Sequence, residues 1–424
     1  MQKPKHLINY WIRSATRNDT RMMQKRFLFL TAHSICWIVY IFLFSSSVHA
    51  QAKREFRGVW IATVDNIDWP SKGDFNSDSQ KAAFIKLLDM HQRNGINAVI
   101  VQVRPAADAF YASPYEPWSE WLTGKQGSPP TPYYDPLEFM VAEAHKRGME
   151  FHAWMNPYRA QFNIYNSSIS STHITRLHPE WFLTYGDKRY FDPGNKEVQQ
   201  YVAGVVKDIV SRYDVDAIHF DDYFYPYRIP GKEFPDNAKF IQYGNGMSKD
   251  EWRRSNTDSI ILLLSKVIKA ENKKCQFGIS PFGVWRNADK DSVNGSNTKA
   301  GQTNYDDLYA DILLWLKNGW IDYVAPQLYW EIGHRAAAYE ILLDWWSKHS
   351  YGRNCYIGLG IYKANSNAAW KDKTQIPRQI EALRNTPNIQ GMIFYSSRIF
   401  NNNPNGWSDS LRLNYFATPV RLRP

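Results

Sequence analysis

The sequence has little cysteine, three in 424 residues. Cys36 lies in an N-terminal apolar stretch, which leaves Cys275 and Cys355, each opening an expected strand. Those strands are not expected to be neighbours, which favours two free, buried thiols over a disulfide. No Walker motif occurs and no Gly-rich first turn, so the usual phosphate cradles are missing. No Ser nucleophile elbow occurs, and the histidines form no H-x-H pair. Long apolar runs are scarce too. One occurs, FLFLTAHSICWIVYIFLF (Phe27–Phe44), after Lys25 and Arg26 and before VHAQA. That order of charge, apolar run and small residues is a secretory signal, with cleavage expected after Ala50; Ala52 also fits. A start at Met22 or Met23 gives the shorter basic leader. An uncleaved anchor helix is the alternative, because the run approaches spanning length. No second such run follows, so the mature chain is expected to be exported, periplasmic or extracellular, without stable membrane insertion.

A large excess of one charge is also absent once the leader is set aside. The whole chain is +10, but seven Lys and Arg and one Asp precede Gln51. What remains has 44 basic and 40 acidic residues, a net charge of about +4. This gives no argument for nucleic acid as a partner.

What the chain has in quantity is aromatic residues, at 15 %, with 17 Trp and 26 Tyr. Many lie in polar, Pro-rich stretches such as YASPYEPWSEWLTG (Tyr111–Gly124). Rings with an apolar face and a polar edge suit sugar stacking, and suit protein interfaces equally. On the first reading this loop, with Trp118 and Trp121, forms a wall of a sugar groove; packing onto neighbouring helices is the alternative.

Beyond residue 55 the pattern alternates between short β-branched runs and amphipathic helices. Strands are expected at Glu55–Val64, Ile96–Arg104, Glu150–Pro157, Asp216–Tyr223, Gln276–Gly283, Ile321–Glu331, Cys355–Lys363 and Ile389–Ser397. Helices between them carry clear stops and caps, such as Gly95, Gly148 and the Asp135-Pro136 start. Eight such units predict an α/β fold, a (β/α)8 TIM barrel spanning residues 51–400, with a C-terminal extension at 401–424. The connections after strands are long and those before strands are short. The long ones belong to the C-terminal face, where barrel active sites are built.

The stretch DAIHFDDYFYP (Asp216–Pro226) ends the fourth strand with two adjacent carboxylates. Burying such a pair costs desolvation and mutual repulsion, so a use is expected. Side chains alternate along a strand. If Ile218 and Phe220 face the helices, His219 and Asp221 face the axis, with Asp222 at the rim. The same parity brings Gln102 and Arg104, His152, Trp154 and Asn156, and Gln327, Tyr329 and Glu331 to one mouth. Trp60, Asp65, Tyr158 and Tyr223 join them as expected substrate contacts. Two carboxylates flanking a bond cleave glycosides. Asp221, within reach of Arg104, is the expected nucleophile or base. Glu331, beside Trp330, is the expected acid, and Asp222 either does chemistry or orients a hydroxyl.

The motifs EFRGVWIATVDNIDWPS, VIVQVRPAADAFY, HAWMNPYR, DAIHFDDYFYPY, GISPFGVWRN, APQLYW and GMIFYSS resemble the glycosyl-hydrolase-like family 10 proteins of bacteria. The resemblance covers residues 55–397 and implies a carbohydrate-hydrolysing barrel, some relatives being associated with peptidoglycan. It also implies a distant similarity to α-amylase-type barrels, whose strand-four nucleophile lies in R-x-D. Here the matching positions read His219-Phe220-Asp221, and GISPFG lacks an acid. The expected function is therefore an exported, monomeric glycoside hydrolase acting on a polysaccharide, a cell-wall glycan, without metal or cofactor. A non-catalytic glycan-binding barrel and a metal-dependent hydrolase or deacetylase are the alternatives.

Overall fold

The structure is a computed structural model that describes residues 54–418 and 420. The expected leader, residues 1–50, lies outside the described residues. Among those described, no helix is long and apolar enough to cross a membrane.

Eight parallel strands close a barrel: β1 (Phe56–Ile61), β2 (Ala98–Arg104), β3 (Glu150–Met155), β7 (Ala217–Phe220), β8 (Gln276–Ile279), β9 (Tyr323–Val324), β10 (Asn354–Leu359) and β11 (Gly391–Phe394). Their order around the barrel follows the chain, and β11 closes on β1 through Phe56 opposite Gly391. This is the (β/α)8 fold that the alternating pattern predicts. Cys275 and Cys355 are free and buried, at β8 and β10, with β9 between those strands.

The period of two separates two apolar layers. Val59, Ile61, Val99, Val101, Phe151, Ala153, Ile218, Phe220, Phe277 and Ile279 pack outward against the helices. Phe56, Trp60, Ala98, Ile100, Trp154, Ala217, Tyr323, Tyr356 and Ile393 fill the interior. The helices start where their capping residues stand. Asn76 caps α1 (Ser77–Arg93), Asp135 caps α2 (Pro136–Lys146), and Asn195 caps α3 (Lys196–Arg212). Ser248 and Glu251 form a capping box on α4 (Lys249–Glu271).

Three regions differ from the sequence reading, the first being the expected sixth strand, Ile321–Glu331, which is a strand only at Tyr323–Val324. The connection after β3 holds a small antiparallel sheet, β4 (Arg159–Gln161), β5 (Phe182–Tyr185) and β6 (Lys188–Phe191), in the order β4-β6-β5. The segment set apart as an extension is tied into the barrel core. Trp407, Leu411 and Phe416 are buried there, and the Arg57 guanidinium lies 4.0 Å from the Phe416 ring centre. Arg57 is itself paired with Glu55 at 2.7 Å, so the tail covers a buried ion pair.

Gly278 on β8 makes room for the Tyr323 ring. A Cβ there would lie 1.9 Å from that ring. Gly278→Ala is expected to destabilise the fold by about 1–3 kcal/mol through overpacking. Urea titration of the variant checks this, and an unchanged midpoint would show that Tyr323 has room to move.

Candidate active site

The barrel mouth opens into a cavity of about 370 Å³ lined by Trp60, Trp154, Asp221, Asp222, Tyr223, Tyr227, Ser280, Phe282, Gln327, Tyr329, Trp330, Tyr362, Lys363 and Tyr395. Aromatic rings dominate this wall. Trp60 and Tyr395 lie 6.2 Å apart between ring centres, and Tyr329 and Tyr395 5.9 Å. Tyr223 stacks on Tyr227 at 5.0 Å.

Asp221 and Asp222 are the two carboxylates on the wall, and their surroundings differ. Asp221 Oδ2 accepts from the Trp154 indole N–H at 3.1 Å, and both its oxygens accept from Asn156 Nδ2 at 3.1 Å. The Tyr223 backbone N–H adds a fourth contact at 3.3 Å. Burial raises the pKa of Asp221, while Arg159 and these donors oppose the rise. Asp222 accepts from the Tyr227 hydroxyl. Burial first, and the charge of Asp221 second, push its pKa up to about 7. Two neighbouring carboxylates thus differ in proton affinity, and Asp222 holds the proton more readily.

The floor rests on a hydrogen-bonded column through the barrel. Trp60 Nε1 donates to His219 Nε2 at 3.2 Å. An indole N–H only donates, so His219 Nε2 accepts and His219 carries its hydrogen on Nδ1. That N–H donates to Tyr323 Oη at 2.8 Å. The Tyr323 hydroxyl then donates to His152 Nδ1 at 2.9 Å, and His152 Nε2 donates to Glu150 at 3.0 Å. Burial holds His219 neutral, with its pKa well below the usual histidine value. Ser280 Oγ is 2.9 Å from the same His219 nitrogen.

Several expected site residues do gather here: Trp60, Trp154, Asp221, Asp222, Tyr223, Gln327 and Tyr329 line the cavity, and Asn156 holds Asp221. His219 and His152 lie beneath, in the column. Others do not join them. Arg104 is fully buried, with Nε 2.8 Å from Glu116, and its NH1 donates to the Asn156 carbonyl. A bulge between Gln102 and Arg104 sets Arg104 opposite Met155, an outward-facing residue. It is therefore no neighbour of Asp221; Arg159 takes that place. Glu331 lies outside the lining, and its carboxylate accepts from the Trp370 indole at 3.1 Å. β9 ends at Val324, so strand parity no longer governs position 331.

Asp65 is exposed and 3.6 Å from Lys72. Asp68, a further acid near strand one, is engaged by the Ala62 and Arg398 N–H groups and the Ser396 hydroxyl. Tyr158 is buried in the outer core. Trp121 is buried against Phe162, and half-buried Trp118 meets Tyr133 in a shallow depression of its own, away from the carboxylates. The aromatic loop therefore packs down and is not a wall of this cavity. Sequence reading missed Tyr227, Phe282, Lys363, Tyr395 and Arg159 as site residues. Tyr395 and Phe282 sit just past strand ends, where parity could have found them. Among the described residues no cluster of three or more His, Cys, Asp or Glu could hold a metal ion.

The family model described as Glycosyl hydrolase-like 10 matches residues 55–376. The chain is 49 % identical over 379 residues to "Glycosyl hydrolase YngK" of Bacillus subtilis (strain 168), covering 88 % of this chain and 74 % of that one. It is 39 % identical over 378 residues to "Glycosyl hydrolase DigH" of Escherichia coli (strain K12), covering 83 % and 85 %. Among solved structures, the PgaB (BpsB) glycoside hydrolase domain from Bordetella bronchiseptica matches with a TM-score of 0.50 at 13 % identity, covering 85 % of this chain and 98 % of that one. Alpha-L-fucosidase isoenzyme 2 from Paenibacillus thiaminolyticus matches at 0.51 and 12 %, covering 86 % and 49 %. At these identities the structural likenesses show the shared fold.

The raised pKa of Asp222 has a stability consequence. The folded state binds this proton more tightly than the unfolded chain does. Its contribution is therefore complete below about pH 4 and is lost as pH rises through about 7. Asp222→Asn is expected to stabilise the fold at pH 8 by up to a few kcal/mol, and little at pH 4. Denaturant midpoints of both proteins across that range check the sign.

Proposed function

The chain belongs to the glycosyl hydrolase-like 10 family, and on that premise we propose that it hydrolyses O-glycosyl bonds of an acidic bacterial cell-wall glycan, with Asp222 as proton donor and Asp221 as the anion beside it. The observation that carries this reading is the carboxylate pair at the end of β7, with unequal proton affinities, in an aromatic cavity. Separated proton affinities are how one site holds an acid and a base together. Aromatic faces at Trp60, Tyr329 and Tyr395 suit the apolar faces of sugar rings. On this reading Glu331 is not the acid, and the roles fall on neighbouring residues.

The acidic character of the substrate rests on Lys363. It lines the cavity half-buried and makes no ion pair among the described residues. Burial lowers its pKa, the cost of taking an ammonium partly out of water, and the charge of Glu331 offsets only part of that cost. A carboxylate on the glycan would relieve that cost. The lactyl carboxyl of a muramic acid residue, free when a cell-wall strand carries no peptide, has that chemistry. The proposal includes export through the N-terminal leader and action as a monomer.

Incubating the mature protein with peptide-free peptidoglycan strands and a panel of neutral glycans, with products read by mass spectrometry, tests the reading. Release of shortened strands from the first is expected. Cleavage of no glycan would favour a binding barrel. Asp222→Asn should lower turnover by about 10²–10⁴-fold, the usual loss on removing a general acid. Wild-type turnover should fall as pH rises above about 7, where Asp222 loses its proton. A rate flat to pH 9 would assign the acid elsewhere. Lys363→Met should raise KM about two- to fivefold for the carboxyl-bearing strand and leave KM for a strand with amidated carboxyls unchanged.

A further inference from the structure

The arrangement of the carboxylates bears on how the bond is broken. Cleavage through a covalent enzyme intermediate needs two carboxyls about 5–5.5 Å apart on opposite faces of the sugar, and direct inversion needs them about 6.5–9.5 Å apart with water between. Asp221 and Asp222 are consecutive residues at the end of one strand. The rest of the lining includes Trp60, Phe282, Tyr329, Trp330 and Tyr395, with the amide of Gln327 and the hydroxyl of Ser280. None of these can serve as a carboxylate nucleophile. The two nearby candidates are committed elsewhere: Glu331 to Trp370, and Asp68 to three donors.

Asp221 is itself placed as an acceptor. Trp154 and Asn156 hold both its oxygens in fixed positions, which suits receiving an N–H and hinders the movement needed to bond a carbon atom. We propose that the nucleophile comes from the substrate: the carbonyl oxygen of a 2-acetamido group attacks the anomeric carbon, while Asp221 receives that group's N–H and Asp222 protonates the leaving oxygen. This rests on the glycosidase reading above. It adds a requirement that reading lacks, a 2-acetamido sugar at the cleaved bond.

The steps balance. The acetamido oxygen forms a bond to C1 as the bond from C1 to the leaving oxygen breaks. The Asp222 proton goes to that oxygen, and the amide proton goes to Asp221, leaving a neutral oxazoline. Water then adds to C1 from the side the leaving group vacated. It gives its proton to Asp222, Asp221 returns its proton to the nitrogen, and the C1–oxazoline oxygen bond breaks. Two displacements at C1 leave its configuration retained. Trp154, whose indole meets Asp221, and the other aromatic rings of the cavity give the acetamido methyl an apolar seat.

The test compares peptide-free cell-wall strands with the same strands chemically N-deacetylated, and follows the first-formed anomer by proton NMR. Retained configuration is expected, with kcat/KM lower on the deacetylated strands by at least about 10²-fold, since an intramolecular nucleophile is lost. N-acetylglucosamine thiazoline, a stable mimic of the cyclic intermediate, should inhibit competitively, and Asp221→Asn should weaken that inhibition at least tenfold. An inverted product, or equal rates on the two strands, would overturn the neighbouring-group step and leave the glycosidase reading standing. No cleavage of either strand or of any other glycan would overturn both.

Discussion

The column from Trp60 to Glu150 is the constraint around which the barrel is arranged. A barrel interior is normally filled by branched aliphatic side chains in layers. Here two histidines and a tyrosine occupy its centre, each fully buried. Leaving one of their polar atoms unpaired would cost about 1–3 kcal/mol, and the column avoids this by having a defined direction. It starts at a group that can only donate, the Trp60 indole, and ends at a carboxylate that accepts. Every hydrogen between them is thereby assigned. The price appears in the neighbours, since Gly278 gives its side-chain volume to the Tyr323 ring and Gly358 leaves room beside Trp60. Large rings that must hydrogen-bond in the interior require strands that carry glycine beside them.

The column connects to the cavity through Trp60. Its ring forms part of the cavity floor, and its rotation about the strand is fixed by the bond to His219. Trp154 does the same on the adjacent strand, because its indole N–H is spent on Asp221. The two tryptophans therefore serve twice, as apolar lining of the cavity and as donors that orient a buried polar group. Asn156 extends the arrangement outward. Its Nδ2 holds Asp221, and its Oδ1 accepts from the Arg159 backbone N–H at 2.7 Å. The small sheet inserted after β3 is thus registered on the catalytic-face carboxylate from its first residue.

Much of this was legible in the sequence because strand parity is a strong rule where strands are regular. It brought His219, Asp221, His152, Trp154 and Asn156 to the axis from β7 and β3, where the pairing has no irregularity. It failed in two places for two physical reasons. At Arg104 a bulge shifted the register, and no residue in VIVQVRPAAD announces a bulge. At Glu331 parity was carried seven residues past the end of a strand that is only two residues long. Beyond Val324 the chain runs through tight turns, with Leu328 N–H bonding the Pro326 carbonyl and Tyr329 N–H that of Gln327. Gln327 and Tyr329 still face the cavity, but position 331 does not. The aromatic loop misled for a different reason. Long connections on the catalytic face must bury something to be held in place, and Trp121 on Phe162 is how this one is held.

The adjacency of Asp221 and Asp222 now has a physical explanation that a lone strand end did not offer. Successive residues on an extended chain point apart, so two carboxylates can share one cavity yet have different neighbours. Asp221 falls on the axial side, where the strand before it supplies Trp154 and Asn156 as donors. Asp222 falls toward the loop, where the main neighbour is a tyrosine hydroxyl. Donors hold down the proton affinity of the first carboxylate. The charge retained there then raises that of the second, because burial keeps water from screening it. The repulsion that makes such a pair expensive in a core is the same interaction that separates an acid from an anion. This division requires the two residues to remain consecutive at the end of β7, with the donor strand beside them.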